Sequence, residues 1–481
     1  SWVHQKEPEK ATIKAKDQVR MAVAKAAGNY SLTRMQVNVV QKAMVVGGGL
    51  SGMTAALAFG NQGYDTVLVE KSDKLGGNAW ELFQTYKGEN IRERLESMID
   101  AVNKHPKITL LKNTTVKSCS GSVGNFTSEL LVNGSSSANT KSSGVGKNAS
   151  GTEIKKINYG VSVIATGGKS STTSEYLFGK DDRVMTPLKF DEYLSSSHTA
   201  LKEADTVVFI QCVGSREPNR PYCSRLCCTH SVKSAILLKQ INPELNVYIL
   251  NRDIRTYGER EDLYRQARDA GVIFIKYELD RKPNVYKKDN EVVVEAFDPI
   301  LTKTLRLFPD YLILATGIEA NDSKDLMDIF KFGINEDGFL NEAHPKLRPV
   351  DMPVDGLFVA GLCNYPKPVE ESITQALACV SRAGVILAKQ TMELDAIKSY
   401  VTEKCDGCAV CIDVCPYMAL KLEEYQLNGS GRVVKRVKAD PALCKGCGLC
   451  QAVCPKGGIM VHGFTLPQLK AQVDAALESI I

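Results

Sequence analysis

Two stretches constrain this chain more than anything else in it: Cys405-x2-Cys408-x2-Cys411-x3-Cys415-Pro416 and Cys444-x2-Cys447-x2-Cys450-x3-Cys454-Pro455. A four-iron cube needs four thiolates, and in this type of run the fourth cysteine serves the other cube. One set is then Cys405, Cys408, Cys411 and Cys454; the other is Cys444, Cys447, Cys450 and Cys415. Paired C-x2-C motifs also suit zinc. The third cysteine at the same spacing and the trailing C-x3-C-P favour two [4Fe–4S] clusters.

The chain has 15 cysteines, and most sit at ligand spacings rather than scattered as disulfide partners. That points to metal in a reducing compartment, hence the cytoplasm. Residues 1–27 carry charges throughout and have no apolar core, so no signal peptide is expected. No run approaches the roughly 18 apolar residues of a membrane helix, which argues against direct membrane insertion. A net charge of +5 with no basic block argues against a nucleic-acid partner. The first residue is Ser1 rather than Met, compatible with a tag remnant, a fragment, or an upstream segment on a partner.

At 481 residues several domains are expected. Helix is predicted over 8–27, with Pro8 in the first turn and Gly28-Asn29 ending it. Apolar strand-like runs recur at 43–46, 66–69, 161–165, 206–211, 247–251, 272–277, 292–297, 311–315 and 356–360. Helical patterns lie between several of them, at 229–240, 260–270 and 370–392. This alternation predicts an α/β architecture with parallel sheets. Residues 118–152 are rich in Ser, Gly, Asn and Thr, interrupted by a strand-like 125–132, and read as a hairpin with a long surface loop. The sequons at Asn125, Asn133 and Asn148 are read as chance in such a loop.

Gly47-Gly48-Gly49-Leu50-Ser51-Gly52 matches G-x-G-x-x-G, follows an apolar strand and opens a helix. After a second strand comes Glu70. Gly47 suits the tight turn, Gly49 the close approach of a pyrophosphate to the helix N-terminus, and Gly52 close helix–strand packing. Glu70 suits the ribose hydroxyls. Lys71-Ser-Asp-Lys-Leu-Gly76-Gly77 resembles the segment that continues this fingerprint in two-dinucleotide-binding-domain flavoproteins. Ala165-Thr166-Gly167 and Ala315-Thr316-Gly317 resemble the A-T-G returns of that group. The stretch 355–361 resembles its C-terminal flavin motif, ending at Gly361, with Leu362 or Cys363 where an aspartate is usual. The helix after Glu371 and Ser372 is expected to aim its N-terminus at the flavin ring, with Gln375 and Ala376 on its first turn. The cofactor expected is FAD.

The expected fold is thus a thioredoxin-reductase-like, two-dinucleotide-binding-domain α/β flavoprotein of Rossmann type, with a C-terminal α+β two-cluster ferredoxin domain. Its expected parts are an N-terminal helical segment (1–38), a first flavin part (39–200) and an inserted Rossmann-like domain (201–308). A second flavin part (309–395), the ferredoxin domain (396–463) and a closing helix (464–481) follow.

In such folds the insert opens on a second nucleotide fingerprint. Here the strand at 206–211 runs instead into Cys212, followed by Cys223, Cys227 and Cys228. The stretches Ile210-Gln-Cys-Val-Gly-Ser-Arg216, Tyr222–Cys228, Asn251–Gly258 and Trp2-Val-His4 resemble the flavin-bearing A subunit of heterodisulfide reductase, and the likeness covers nearly the whole chain. The resemblance implies that Cys212, Cys223, Cys227 and Cys228 hold a third [4Fe–4S] cluster close to the flavin. It implies that Lys233 sits near the reactive flavin nitrogen. It also implies a short form: no N-terminal cluster domain, and a cysteine-free loop at 133–152 where many members insert a ferredoxin domain. Cys119, Cys363 and Cys379 read as packing thiols. The six histidines form no ligand pair, and only His230 lies beside a cysteine group.

The function so implied is that of an oxidoreductase hub in an anaerobic complex. It would split electron pairs between a partner hydrogenase or dehydrogenase, ferredoxin and a disulfide reductase module by flavin-based bifurcation. Two other readings compete: a non-bifurcating conduit in a quinone-interacting oxidoreductase complex, and a stand-alone pyridine nucleotide:disulfide oxidoreductase. The latter needs a second nucleotide fingerprint and a redox-active C-x-x-C outside the ferredoxin runs, and neither is present. A scaffold with vestigial sites is disfavoured because every expected ligand is in place.

Overall fold

The computed structural model describes residues 5–133, 146–147, 153–196, 198–426 and 433–478. Trp2-Val-His4, most of the 133–152 loop and the Asn148 sequon lie outside them. The chain divides into two compact units: residues 1–39, 121–124 and 389–481 form one, and residues 40–120 and 125–388 the other.

The larger unit is built on two five-stranded sheets, each wholly parallel. In the first, the order is Leu357–Val359, Val161–Ile164, Lys42–Val46, Asp65–Val69, Ile108–Leu111. In the second it is Val184–Met185, Tyr311–Leu314, Thr206–Ile210, Asn246–Asn251, Ile273–Lys276. Continuous Val/Ile/Leu runs make such strands because both faces are covered. Thr206–Ile210 and Tyr311–Leu314 are buried along nearly their whole length. The second sheet takes Val184–Met185 and Tyr311–Leu314 from outside the expected 201–308 insert, so its hydrogen bonding crosses both of those boundaries. The expected helices are present as Leu50–Asn61, Cys227–Ile241, Glu261–Asp269 and Val369–Leu387. A three-stranded antiparallel sheet (Asn284–Lys288, Glu291–Asp298, Lys303–Leu307) flanks the second parallel sheet through shared apolar packing of Val292 and Val294 with Ile275.

The smaller unit is an internal repeat. Short helices Val410–Asp413 and Leu449–Ala452 each follow a left-handed residue, Ala409 and Gly448. Two residues before those stand Gly407 and Gly446, also at positive φ. A Cβ at either would fall 2.5 Å from a backbone oxygen, of Lys435 and Ile397 respectively. The antiparallel pairs Leu420–Gln426 with Val433–Ala439 and Ser399–Val401 with Ile459–Val461 complete it. Its apolar core is small and includes Cys411 and Cys450, too little to stabilise a domain of this size without a further staple.

Helix Pro8–Ala27 has no buried residue. It is held against helix Leu466–Leu477, where Gln468 Nε2 donates to Gly28 O at 2.9 Å and Asn29 Oδ1 at 3.0 Å. The same side chain closes the capping box with Thr465. Among the described residues no helix is long and apolar enough to cross a membrane. Gln468→Ala removes a cap and a tether together. It is expected to cost about 1–2 kcal/mol and to raise the rate of tryptic cleavage within residues 10–25.

Candidate functional site

The turn after strand Lys42–Val46 is shaped by absent side chains. Gly47 has φ +109°, and a Cβ there would lie 2.3 Å from Ala165 O. A Cβ at Gly52 would lie 1.8 Å from Gly47 O, so helix Leu50–Asn61 can reach the strand only because residue 52 is glycine. Gly49 differs: its φ is −75°, and nothing stands within 4 Å of where its Cβ would be. That open side belongs to a cavity of about 320 Å³. The helix has no acidic residue in its first turn, so its free N–H groups and positive end suit an anion there.

Glu70 is fixed in place. Its Oε2 accepts from Gly48 N at 2.6 Å, and its Oε1 accepts from Ser72 N and Oγ at 2.8 Å each. Gly76 N donates to Gly48 O at 2.9 Å, which folds Gly76 and Gly77, both at positive φ, back onto the glycine turn.

The cavity brings together Gly47, Gly49, Ser51, Glu70, Gly76 and Gly77 with Ala165–Gly167, Thr316, Gly317, Gly361 and Ser372. The remaining expected residues lie off its wall. Gly52 packs against the turn, and Lys71 is exposed. Ala315 and Ala376 are fully buried. Gln375 Oε1 accepts from Gly361 N at 2.9 Å, supporting the wall from behind. Glu371 is engaged by Arg225 Nη1 at 3.1 Å and by Tyr257 OH at 2.5 Å. On the wall, the buried hydroxyls of Thr166 and Thr229 have no partner among the described residues. Buried polar atoms are normally satisfied, so a polar ligand fits this cradle.

The second sheet delivers the other half of the wall. Strand Thr206–Ile210 ends at Gln211, and Cys212 follows at φ +57°; Arg216 and Arg225 are also left-handed. Such strained positions persist where surrounding structure over-determines them. Helix Cys227–Ile241 begins with the adjacent pair Cys227 and Cys228. The four thiols stand close enough to influence one another. Burial, then neighbouring Cys212 and Cys223, push the Cys228 thiol up to about 12, against a backbone hydrogen bond that lowers it. Cys227 is raised by burial and then by Cys228, Cys212 and Cys223. Arg225 N donates to Cys223 Sγ at 3.3 Å, and Arg216 Nη1 lies 3.8 Å from Cys212 Sγ. Cys227 lines the cavity, as do Thr229, His230 and Lys233. Lys233 Nζ donates to Gln84 O at 3.1 Å and lies 3.9 Å from Asp191 Oδ2; burial lowers its ammonium against the pull of Asp191. His230 Nε2 is 3.0 Å from the same carboxylate.

Within the smaller unit cysteines of the two runs come near one another. Cys411 is pushed up to about 11 by burial, then by Cys450, Cys405 and Cys454. Cys450 is raised by burial, then by Cys444, Cys447 and Cys415. A small cavity is lined by Cys415, Cys444, Cys447 and Cys450 together. Backbone amides point at sulfur: Gly446 N and Ser399 N at Cys444, Ala419 N at Cys415, Gly458 N at Cys454 (3.1–3.4 Å). Burial would raise Cys454, yet the amides of Lys456, Gly458, Ile459 and Gly457 bring it below the usual thiol. Donors of this kind favour thiolates, the form in which cysteine ligates iron.

Sequence reasoning missed Lys367. It is buried on the cavity wall, and its only local signal is Pro368 opening the next helix. Cys363 and Cys379 donate to backbone carbonyls in the core, and Cys119 Sγ sits 3.4 Å from Tyr159 OH.

Residues 43–139 match the model of FAD dependent oxidoreductases, and residues 404–458 that of 4Fe-4S dicluster domains. The second match sets aside the zinc alternative. The chain is 32% identical over 88% of its length to an iron-sulfur A subunit (the second of two) of the CoB–CoM heterodisulfide reductase of Methanopyrus kandleri, covering 76% of that protein. It is 32% identical to the A subunit of the H(2):CoB-CoM heterodisulfide,ferredoxin reductase of Methanothermobacter marburgensis (89% of this chain, 76% of the relative). It is 30% identical to the A subunit of the Ferredoxin:CoB-CoM heterodisulfide reductase of Methanosarcina acetivorans (99% and 72%). Among solved structures, thioredoxin reductase of T. acidophilum aligns at TM-score 0.47 and 15% identity, over 72% of this chain and 97% of that one. That likeness is too distant to carry an argument about function.

Two glycine substitutions separate folding from binding. Gly52→Ala is expected to destabilise the larger unit by about 1–3 kcal/mol through overpacking, read as a lowered thermal midpoint. Gly49→Ala is expected to leave the flavin-free midpoint unchanged and to lower retained flavin at least tenfold, read from protein-bound absorbance.

Proposed function

The chain belongs to the family of heterodisulfide reductase A subunits, and from that premise we propose that it is the flavin-based electron-bifurcating hub of its complex. It is an oxidoreductase component that carries electrons by means of FAD and iron–sulfur centres. The proposal adds the direction of traffic and the ligands. FAD would be held in the cavity lined by Gly47, Gly49 and Ser51, where the N-terminus of helix Leu50–Asn61 suits its phosphates and Gly361 and Ser372 line the same cavity. Three [4Fe–4S] clusters would be held by Cys212, Cys223, Cys227 and Cys228; by Cys405, Cys408, Cys411 and Cys454; and by Cys444, Cys447, Cys450 and Cys415.

The observation that carries this reading is the shared wall: Cys227 lines the same cavity as the glycine turn. When bound, FAD takes up electrons in pairs or singly, whereas each cluster passes one at a time. The residues then divide the work. Glu70 and the amides after Gly49 orient the dinucleotide, and the four thiols at 212–228 hold an acceptor against its cavity. Lys233 supplies a buried ammonium beside that cavity, suited to hold or release a proton near a flavin nitrogen. Arg225 N and the amides that point at Cys444, Cys415 and Cys454 lower the electron density on those sulfurs and so tune potential. A partner hydrogenase or dehydrogenase would supply electron pairs, and ferredoxin and a disulfide reductase module would take the separated electrons.

Cys228→Ala is expected to remove one cube's iron and leave the two other clusters' electron paramagnetic resonance signals intact; iron content equal to the parent protein would sink the third-cluster assignment. A spectroelectrochemical titration of the flavin tests the branch point. Bifurcation predicts that the first one-electron potential lies below the second, whereas the conduit reading predicts the ordinary order.

A further inference from the structure

Lys367 is 2% exposed and stands immediately before Pro368, the N-cap of helix Val369–Leu387. Its Nζ donates to Gly361 O at 2.6 Å and to Tyr365 O at 3.1 Å, and lies 3.7 Å from the centre of the Tyr365 ring. An ammonium has three donors and no acceptor, so two are committed to its own loop and one is left for the cavity it lines. The loop is braced: Gln375 takes Gly361 N and donates to Asn364, and Asn364 donates to Leu340 O.

Every nearby charge is otherwise engaged. Glu342 Oε1 accepts from Val350 N at 2.9 Å. Glu371 is held by Arg225 and Tyr257, and Glu370 by Arg260. Arg225 repels the ammonium. Cys363 is a buried thiol that donates to Ile164 O and Ala360 O. Burial lowers Lys367 to about 8, against the attraction of Cys363, Glu342 and Glu371. A buried cation with no carboxylate bound to it is costly. Its place on the wall, beside a helix N-terminus of the same sign, calls for an anion in the cavity.

We infer that Lys367 is the built-in counter-cation for the negative charge a flavin ring acquires on reduction at this end of the cavity. The inference rests on the proposal that the cavity holds FAD. Two electrons and one proton turn the neutral oxidised ring into an anion; no bond to lysine forms, and dithionite supplies the electrons in the test below. Charge near the ring nitrogens is a principal way a protein tunes this cofactor. The sign of the pH effect follows. Below about pH 8 the ammonium is already charged, and reduction draws in one proton. Above it, reduction also recharges the lysine and draws in a second.

A redox titration of the flavin-loaded full chain between about pH 6 and 10 tests this, with bound flavin quantified in each sample. In the parent protein the two-electron midpoint is expected to fall by about 30 mV per pH unit at low pH and by about 59 mV per unit in a window above about pH 8. This follows because each proton per electron pair is worth about 30 mV for a tenfold change. Lys367→Met is expected to lose the steeper window and to weaken reduction at neutral pH at least tenfold. Lys367→Arg, always charged, should keep the neutral-pH value without the steeper window. A flavin-replete parent protein with a single slope throughout overturns the role of Lys367 while leaving the FAD site standing, and so does a Lys367→Met midpoint within about 14 mV of the parent, a threefold change in the equilibrium constant. A parent chain that retains no FAD after reconstitution overturns both. Should Lys367→Met fail to fold, the parent protein's slope decides.

Discussion

The approach of helix Leu50–Asn61 to strand Lys42–Val46 is the contact on which the cavity depends. The position a Cβ would take at Gly52 is 1.8 Å from Gly47 O, and that at Gly47 is 2.3 Å from Ala165 O. Any side chain at either position forces strand, helix and the 165–167 return apart. Because they close up, the helix N-terminus, Glu70 and both glycine-rich returns meet at the carboxyl ends of parallel strands, where open α/β sheets bind their ligands. Everything else around the cavity is fitted to that edge.

The second sheet repeats the arrangement with different chemistry at its tip. Strand Thr206–Ile210 reaches the same kind of edge, but a loop bearing Cys212 and Cys223 intervenes before helix Cys227–Ile241 begins. A nucleotide needs an uncluttered amide cradle. This tip instead presents sulfur, from Cys212 at a left-handed position, from Cys223 in the loop, and from the first two residues of the helix. The two halves are joined across the cavity rim by Arg225 to Glu371 and Arg260 to Glu370, with Arg225 and Arg260 also stacked over Tyr257. Arg260 is buried and Arg225 half-buried, so removing either carboxylate would leave a poorly solvated cation without its partner. In the smaller unit the physical logic is reversed: its core is slight, and its glycines and left-handed turns exist to aim thiols.

Much of this was legible in the residues. Parallel strands with both faces covered read as unbroken apolar runs, and the strands at 43–46, 66–69 and 206–211 stand where such runs occur. The family also showed in short stretches such as 210–216 and 222–228. What was not legible lies in pairings between distant positions. Arg225 and Glu371 meet across 146 residues, and Lys367 has no motif around it. One edge strand of the second sheet, Val184–Met185, and its neighbour Tyr311–Leu314 come from outside the stretch that carries its cysteines. Helix Pro8–Ala27 could be read from composition, but its docking on Leu466–Leu477 through Gln468 could not.

By itself the sequence determined the chemistry available: cysteine runs at cluster spacing, one glycine fingerprint with its acidic partner, and four cysteines in place of a second fingerprint. Such patterns are local because each is set by the geometry of one turn or one helix start. The family resemblance led to the expectation that Cys227 and Lys233 stand by the flavin site, but only the tertiary structure decided that Lys367 shares a cavity with them and with Gly49. That juxtaposition arises from two sheets whose strand ends open onto one cavity, and from the burial that strips water from each group. Neither is encoded in spacing along the chain.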